Sequence, residues 1–173
     1  MKITPSALDR AAFIATFADV YEHSPWVAAR TYDQGEPASF DRIDSLHAQM
    51  AAVLLAASPA EQLALINAHP DLAGKAAIRG ELTAASTAEQ AGAGIQDCTT
   101  AEFARFNALN AAYRARFGFP FIKAVKGSDR QQILAAFEQR LHHSPEQEFA
   151  TALAEINRIA LFRLQALCLD TAP

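Results

Sequence analysis

Cysteine is scarce in this chain of 173 residues: only Cys98 and Cys168 occur, and they form no metal-ligand spacing. A reducing compartment disfavours a disulfide between them. A basic excess is also missing. Fifteen Lys and Arg against nineteen Asp and Glu give a net charge of −4, which argues against the basic footprint that nucleic-acid binding requires. No apolar run approaches the ~20 residues needed to span a bilayer, so no membrane partner is expected. The opening residues lack the apolar stretch of a secretory signal, and the C-terminal Asp170-Thr171-Ala172-Pro173 is not a peroxisomal tail. A cytoplasmic protein is the expectation. Seven Gly and eight Pro leave no room for low-complexity sequence, and 51% hydrophobic residues exclude intrinsic disorder.

What the chain does have is helix punctuation. The length fits one domain over residues 1–173, without composition shift, long linker or internal repeat. Thr4-Pro5 and Ser24-Pro25 each offer an N-cap followed by proline at the first helical position. Asp33 to Pro37 reads as a turn. Ile43, Leu46, Met50, Val53 and Leu54 then recur at three- and four-residue steps, so they share one helical face. Capping-box patterns stand at Ser58–Glu61, Ser86–Glu89, Thr99–Glu102, Ser128–Gln131 and Ser144–Gln147. The helix opened by Ser58 must end near Ala68, because Pro70 pushes His69 out of the α region. Only Phe119-Pro120-Phe121-Ile122 looks extended, after Gly118 ends the helix before it. About seven or eight helices and no sheet are predicted, an all-α bundle with a short extended lid loop. The alanine-rich stretch from Ala76 to Gly94, interrupted by Gly80 and Gly92, reads as two short helices over a cleft.

Three places break the amphipathic pattern. In the last helix the apolar series Phe149, Leu153, Ile156, Ala160, Leu167 leaves Arg163 at a core position. A buried guanidinium must be paired and hydrogen-bonded. Arg163 is therefore either a snorkelling or ion-paired structural residue, or a fork facing an anionic ligand. His69, fixed by Pro70 at a helix C-terminus, is either held there by the macrodipole or placed as an acid/base group. Ser86, Glu89 and Gln90 start a helix, and the same N-terminus offers hydrogen-bonding groups to a small anion. The remaining histidines, His23, His47 and the adjacent His142-His143, form no HxxxH or HExxH, which points away from zinc.

Four blocks in order give these residues a family setting: Tyr21-Glu22-His23-Ser24-Pro25-Trp26-Val27, His69 through Lys75, Ser86 through Gly94, and Phe117 through Gly127. Together they resemble the OHCU decarboxylase family, from about Pro5 to Leu167. Its members convert 2-oxo-4-hydroxy-4-carboxy-5-ureidoimidazoline to (S)-allantoin in urate breakdown. The resemblance implies an all-helical fold, catalysis without a cofactor, a small anionic substrate and a homodimer. It places the catalytic histidine at His69 and further catalytic groups at Glu89 and Arg163. Substrate contacts fall on Pro70, Ser86 and Gln90, and on the backbone of the Phe119 to Ile122 loop, including Phe121. The pattern departs at Ala29 and Ala85, where many relatives carry glutamate. Two other readings stay open: a non-catalytic helical binding module, and a decarboxylase of a related ureido-carboxylate.

Overall fold

The structure is a computed structural model that describes residues 3–74 and 82–168. Expectations for residues 1–2, for Lys75, for the start of the Ala76 to Gly94 stretch with Gly80, and for the tail from residue 169 lie outside the described residues.

Among the described residues there are eight α-helices and no strand, as the punctuation predicts. They are α1 (Arg10–Phe17), α2 (Pro25–Gln34), α3 (Ile43–Ala56), α4 (Pro59–Ala68), α5 (Ala84–Gly92), α6 (Thr100–Phe117), α7 (Arg130–Arg140) and α8 (Pro145–Cys168). Short 3-10 turns lie at Pro5–Ala7, Pro37–Ser39 and Ile95–Asp97. The chain divides into two compact units, Met1–Ala68 with Ile156–Pro173, and His69–Glu155.

In the first unit, α1 packs on α2 and α2 on α3. Phe13, with no exposed surface, touches the rings of Phe17, Phe40 and Tyr32 at centroid distances of 4.7, 5.1 and 5.3 Å. Leu46, Met50 and Leu54 line the inner face of α3 at four-residue steps and are fully buried. At the N-terminus of α4 the predicted capping box forms: Ser58 N–H donates to Glu61, and Glu61 N–H donates to Ser58 Oγ at 3.3 Å.

The second unit centres on Tyr113 and Phe137, both fully buried. Phe121 stacks on Phe137 with centroids 3.7 Å apart, and Tyr113 meets Phe121 edge-on at 5.3 Å. Gly118 closes α6 at φ +79°, a left-handed conformation suited to glycine, and donates its N–H to Arg114 O.

Several boundaries differ from the sequence reading. Thr4-Pro5 opens only a 3-10 turn; α1 starts later, with the Asp9 side chain accepting from Ala12 N–H. Asp33 and Gln34 belong to the last turn of α2, so the turn after it begins at Gly35. Thr83, not Ser86, caps α5, and Asp129 with Gln132, not Ser128 with Gln131, forms the box on α7. In each case a neighbouring Thr or Asp that caps equally well wins by one to three residues. Along α8 the buried face runs Ala152, Ile156, Ala160, Leu164, Cys168, whereas Leu167 is 38% exposed. Four-residue steps thus carry the stripe past Arg163 and place that residue at its flank.

Candidate active site

His69 follows α4 directly and is 6% exposed. The turn after it is fixed from three sides. Arg114 Nε donates to Asp71 at 2.9 Å, Asn110 Nδ2 donates to the Leu72 carbonyl at 2.8 Å, and Ala73 N–H donates to Gln90 Oε1 at 3.1 Å. Ala73 sits at φ +51°, a conformation an alanine adopts only when its surroundings impose it. At Gly74 an added Cβ would stand 2.8 Å from Asp71 Cβ, so the turn closes too tightly for any side chain. The sequence Pro-Asp-Leu-Ala-Gly after the histidine is thereby held to one path. Asn110 Oδ1, buried beside it, has no hydrogen-bond partner among the described residues, a cost accepted to hold Leu72.

α5 supplies the other polar groups. Thr83 Oγ1 accepts from Ser86 N–H at 3.2 Å, which makes Ser86 the third helical residue. Ser86 and Gln90 are one turn apart and both buried, at 4% and 6% exposure. Glu89, half-buried, lies three residues from Ser86 on the same side. Because Gln90 holds Ala73, this face of α5 is directed at the turn that follows His69. The structure therefore brings the His69-Pro70 turn and the Ser86, Glu89, Gln90 face together. It also engages one lone pair of Gln90 Oε1, while the carboxamide N–H donors remain to offer a ligand.

Phe119, Pro120, Phe121 and Ile122 belong to the same unit, form no regular structure and are buried. Their rings and aliphatic groups are occupied in packing: Phe119 meets Tyr113 at 6.0 Å and Phe149 at 6.1 Å. What this segment has for a small polar molecule is its backbone.

A polar network behind the segment was not foreseen from sequence. Glu148, with no exposed surface, accepts from Arg140 Nε and Nη2, from the Tyr113 hydroxyl and from His143 Nδ1 at 2.7 Å. Burial works against its charge, but the Arg140 fork with the Tyr113 and His143 bonds outweighs it and holds the carboxyl below the ordinary carboxylate range. Arg140 and Glu148 were hidden because each stands at a terminal turn of its helix, where a charged residue draws no notice. The only local signal was their eight-residue spacing across a helix junction.

Arg163 belongs to the first unit. Its side chain is 9% exposed and pairs at 2.8 Å with Glu22, which is 2% exposed. Nη1 also donates to the Asp19 carbonyl at 3.2 Å. The snorkelling reading fails; a paired, buried guanidinium stands in its place. The segment that bears Glu22 is strained: His23 adopts φ +47°, and Ser24 Oγ donates to the Glu22 carbonyl at 2.9 Å. Nearby, Tyr21 OH donates to Asn157 Oδ1 at 2.7 Å. Among the described residues no group of three or more His, Cys, Asp or Glu side chains is placed to hold a metal ion.

Comparison with known proteins gives the setting of these residues. The sequence pattern of the OHCU decarboxylase family matches residues 6–165. A 2-oxo-4-hydroxy-4-carboxy-5-ureidoimidazoline decarboxylase from Halalkalicoccus jeotgali is 45% identical over 92% of this chain and 86% of its own length. Its counterpart from Haloferax volcanii is 43% identical over 91% of this chain and 89% of its own. The crystal structure of an (S)-allantoin synthase superposes with a TM-score of 0.76 at 35% identity; it covers 94% of this chain, which spans 52% of that longer one. By its sequence pattern and by its relatives, the chain belongs to the OHCU decarboxylase family.

Proposed function

We propose that the protein decarboxylates 2-oxo-4-hydroxy-4-carboxy-5-ureidoimidazoline to (S)-allantoin, a step in urate breakdown. The observation that carries this reading is the buried His69, on a turn tied by Gln90 to the α5 face that also bears Ser86 and Glu89. It supports a small, polar, anionic substrate and an enzyme of the carboxy-lyase class, as the names of its relatives indicate.

The chemistry requires few groups. The bond from the ring carbon to the carboxylate breaks, carbon dioxide leaves, and the electron pair passes into the adjacent imine. The hydroxyl on that carbon then gives up its proton and becomes the ring carbonyl, while a proton adds to one face of the neighbouring, ureido-bearing carbon. The ring is its own electron sink, so no cofactor is called for. His69 handles the hydroxyl proton of the reacting carbon as general acid/base. Glu89 holds the ureido N–H groups or tunes the histidine, and Ser86 with the Gln90 N–H donors holds the polar edge of the ring. The backbone of Phe119 to Ile122, with Pro70, completes the contacts. Arg163 anchors the carboxylate or a developing oxyanion as a planar donor fork. Stereospecific protonation follows from a single bound pose.

The test is direct. Purified protein mixed with freshly generated substrate should produce optically active allantoin much faster than the spontaneous decay. A rate equal to the spontaneous one, with racemic product, overturns the reading and favours a binding module. Turnover of other ureido-carboxylates with equal efficiency would reassign the substrate. The family resemblance also supports a homodimer, which light scattering coupled to size-exclusion chromatography tests.

A further inference from the structure

Residues 119–125 run without helix or strand, yet all but Lys123 are buried. Backbone groups in such a segment need partners, because an unmade buried hydrogen bond is costly. Two charged side chains provide them on alternate residues. Arg140 Nη1, from the end of α7, donates to the Ile122 carbonyl at 2.7 Å. Glu155, from α8, accepts the Ala124 N–H at 2.6 Å. The Arg140 guanidinium also lies over the Phe121 ring, 4.4 Å from its centroid. Its own position is set by the Glu148 carboxylate, which the Tyr113 hydroxyl and His143 hold in turn.

A buried ion pair is an expensive way to fill space, since apolar residues of similar volume often stabilise as well or better. Arg140 and Glu148 do something an apolar pair cannot: they carry a rigid donor to one chosen carbonyl. We propose that Arg140 and Glu155 form a two-point clamp that sets the Phe119–Ile122 backbone in the conformation that meets the substrate, so that both are positioning residues for the reaction. The role of that backbone in substrate binding rests on the proposed function; the clamp geometry does not.

The variants are Arg140→Lys, Glu155→Ala and Glu155→Gln. A lysine keeps the charge beside Glu148, but a single ammonium lacks the fork that serves Glu148 and Ile122 together. Glu155→Ala removes the acceptor, and Glu155→Gln retains an amide oxygen for it. Steady-state kinetics and hydrogen exchange of peptides covering 119–125 are read on each. For Arg140→Lys and Glu155→Ala, we expect KM to rise about tenfold or more with kcat within about threefold, the signature of lost substrate binding rather than lost chemistry. Exchange should quicken at 119–125 and nowhere else, and Glu155→Gln should restore both readouts toward wild type. Unchanged KM, a fall in kcat at unchanged KM, or a raised KM without faster local exchange each overturns the proposal. If Arg140→Lys does not fold, the two Glu155 variants decide alone. If the wild-type protein does not accelerate the reaction, the functional reading falls, and exchange at 119–125 in Glu155→Ala still decides whether the clamp holds that backbone.

Discussion

Arg163 and His69 show what single side chains carry here. Breaking the Arg163–Glu22 pair leaves a carboxylate that is 2% exposed beside an apolar replacement, and removal of one partner from a buried pair costs about 3–5 kcal/mol. Arg163→Met should therefore lose stability as well as activity. The double variant Glu22→Gln/Arg163→Met separates the two effects: thermal denaturation should recover toward wild type, while turnover stays lost if Arg163 anchors substrate. Recovery of both would make the arginine purely structural. His69→Asn should keep the fold, by circular dichroism, and lower kcat by roughly 10²–10⁴, the usual contribution of general acid/base catalysis. Periodicity exposed Arg163 as an anomaly, and Pro70 singled out His69. Glu22 stayed hidden as the partner of Arg163 because a contact between residues so distant in the chain leaves no mark on local spacing.

Among the elements, punctuation was the legible part. The Ser58 and Thr99 boxes form as their sequences predict. The Ser86 and Ser128 patterns failed because Thr83 and Asp129 offered competing caps nearby. A cap is worth about 1 kcal/mol whichever residue supplies it, so sequence alone does not rank neighbours. Asp129→Ala should accordingly lower the unfolding free energy by about 1 kcal/mol in urea titration, and Ser128→Ala by much less. At α4, hydrogen bonds from Arg30 and then Ser58 hold the Glu61 carboxyl down to about 2, from an ordinary value of 4.5. Its folded-state pKa is depressed, so its stabilisation is complete above the ordinary value and fades as pH falls toward 2. Melting temperatures of wild type and Glu61→Gln measured across that window should converge at the acid end. Parallel curves would show that the box contributes nothing to acid stability.

For the whole molecule, the all-α class followed from capping signals and three- and four-residue periodicity, while the Glu148 network did not. Arg140 and Glu148 read as ordinary helix-end charges until tertiary packing takes them out of water. No metal enters the proposed chemistry, so exhaustive dialysis against a chelator should leave turnover unchanged; loss of activity restored by a divalent ion would demand another mechanism. The sole tryptophan, Trp26, lies in the Met1–Ala68 portion of the first unit, with the Arg30 guanidinium 4.6 Å from its ring. Intrinsic indole fluorescence therefore reports on that unit alone, and the His69–Glu155 unit is silent in this channel. A Phe137→Trp, Trp26→Phe double replacement, with the new indole against Phe121, would move the emission signal to the second unit and let its melting be followed apart from that of the first, at some cost in packing at a fully buried position.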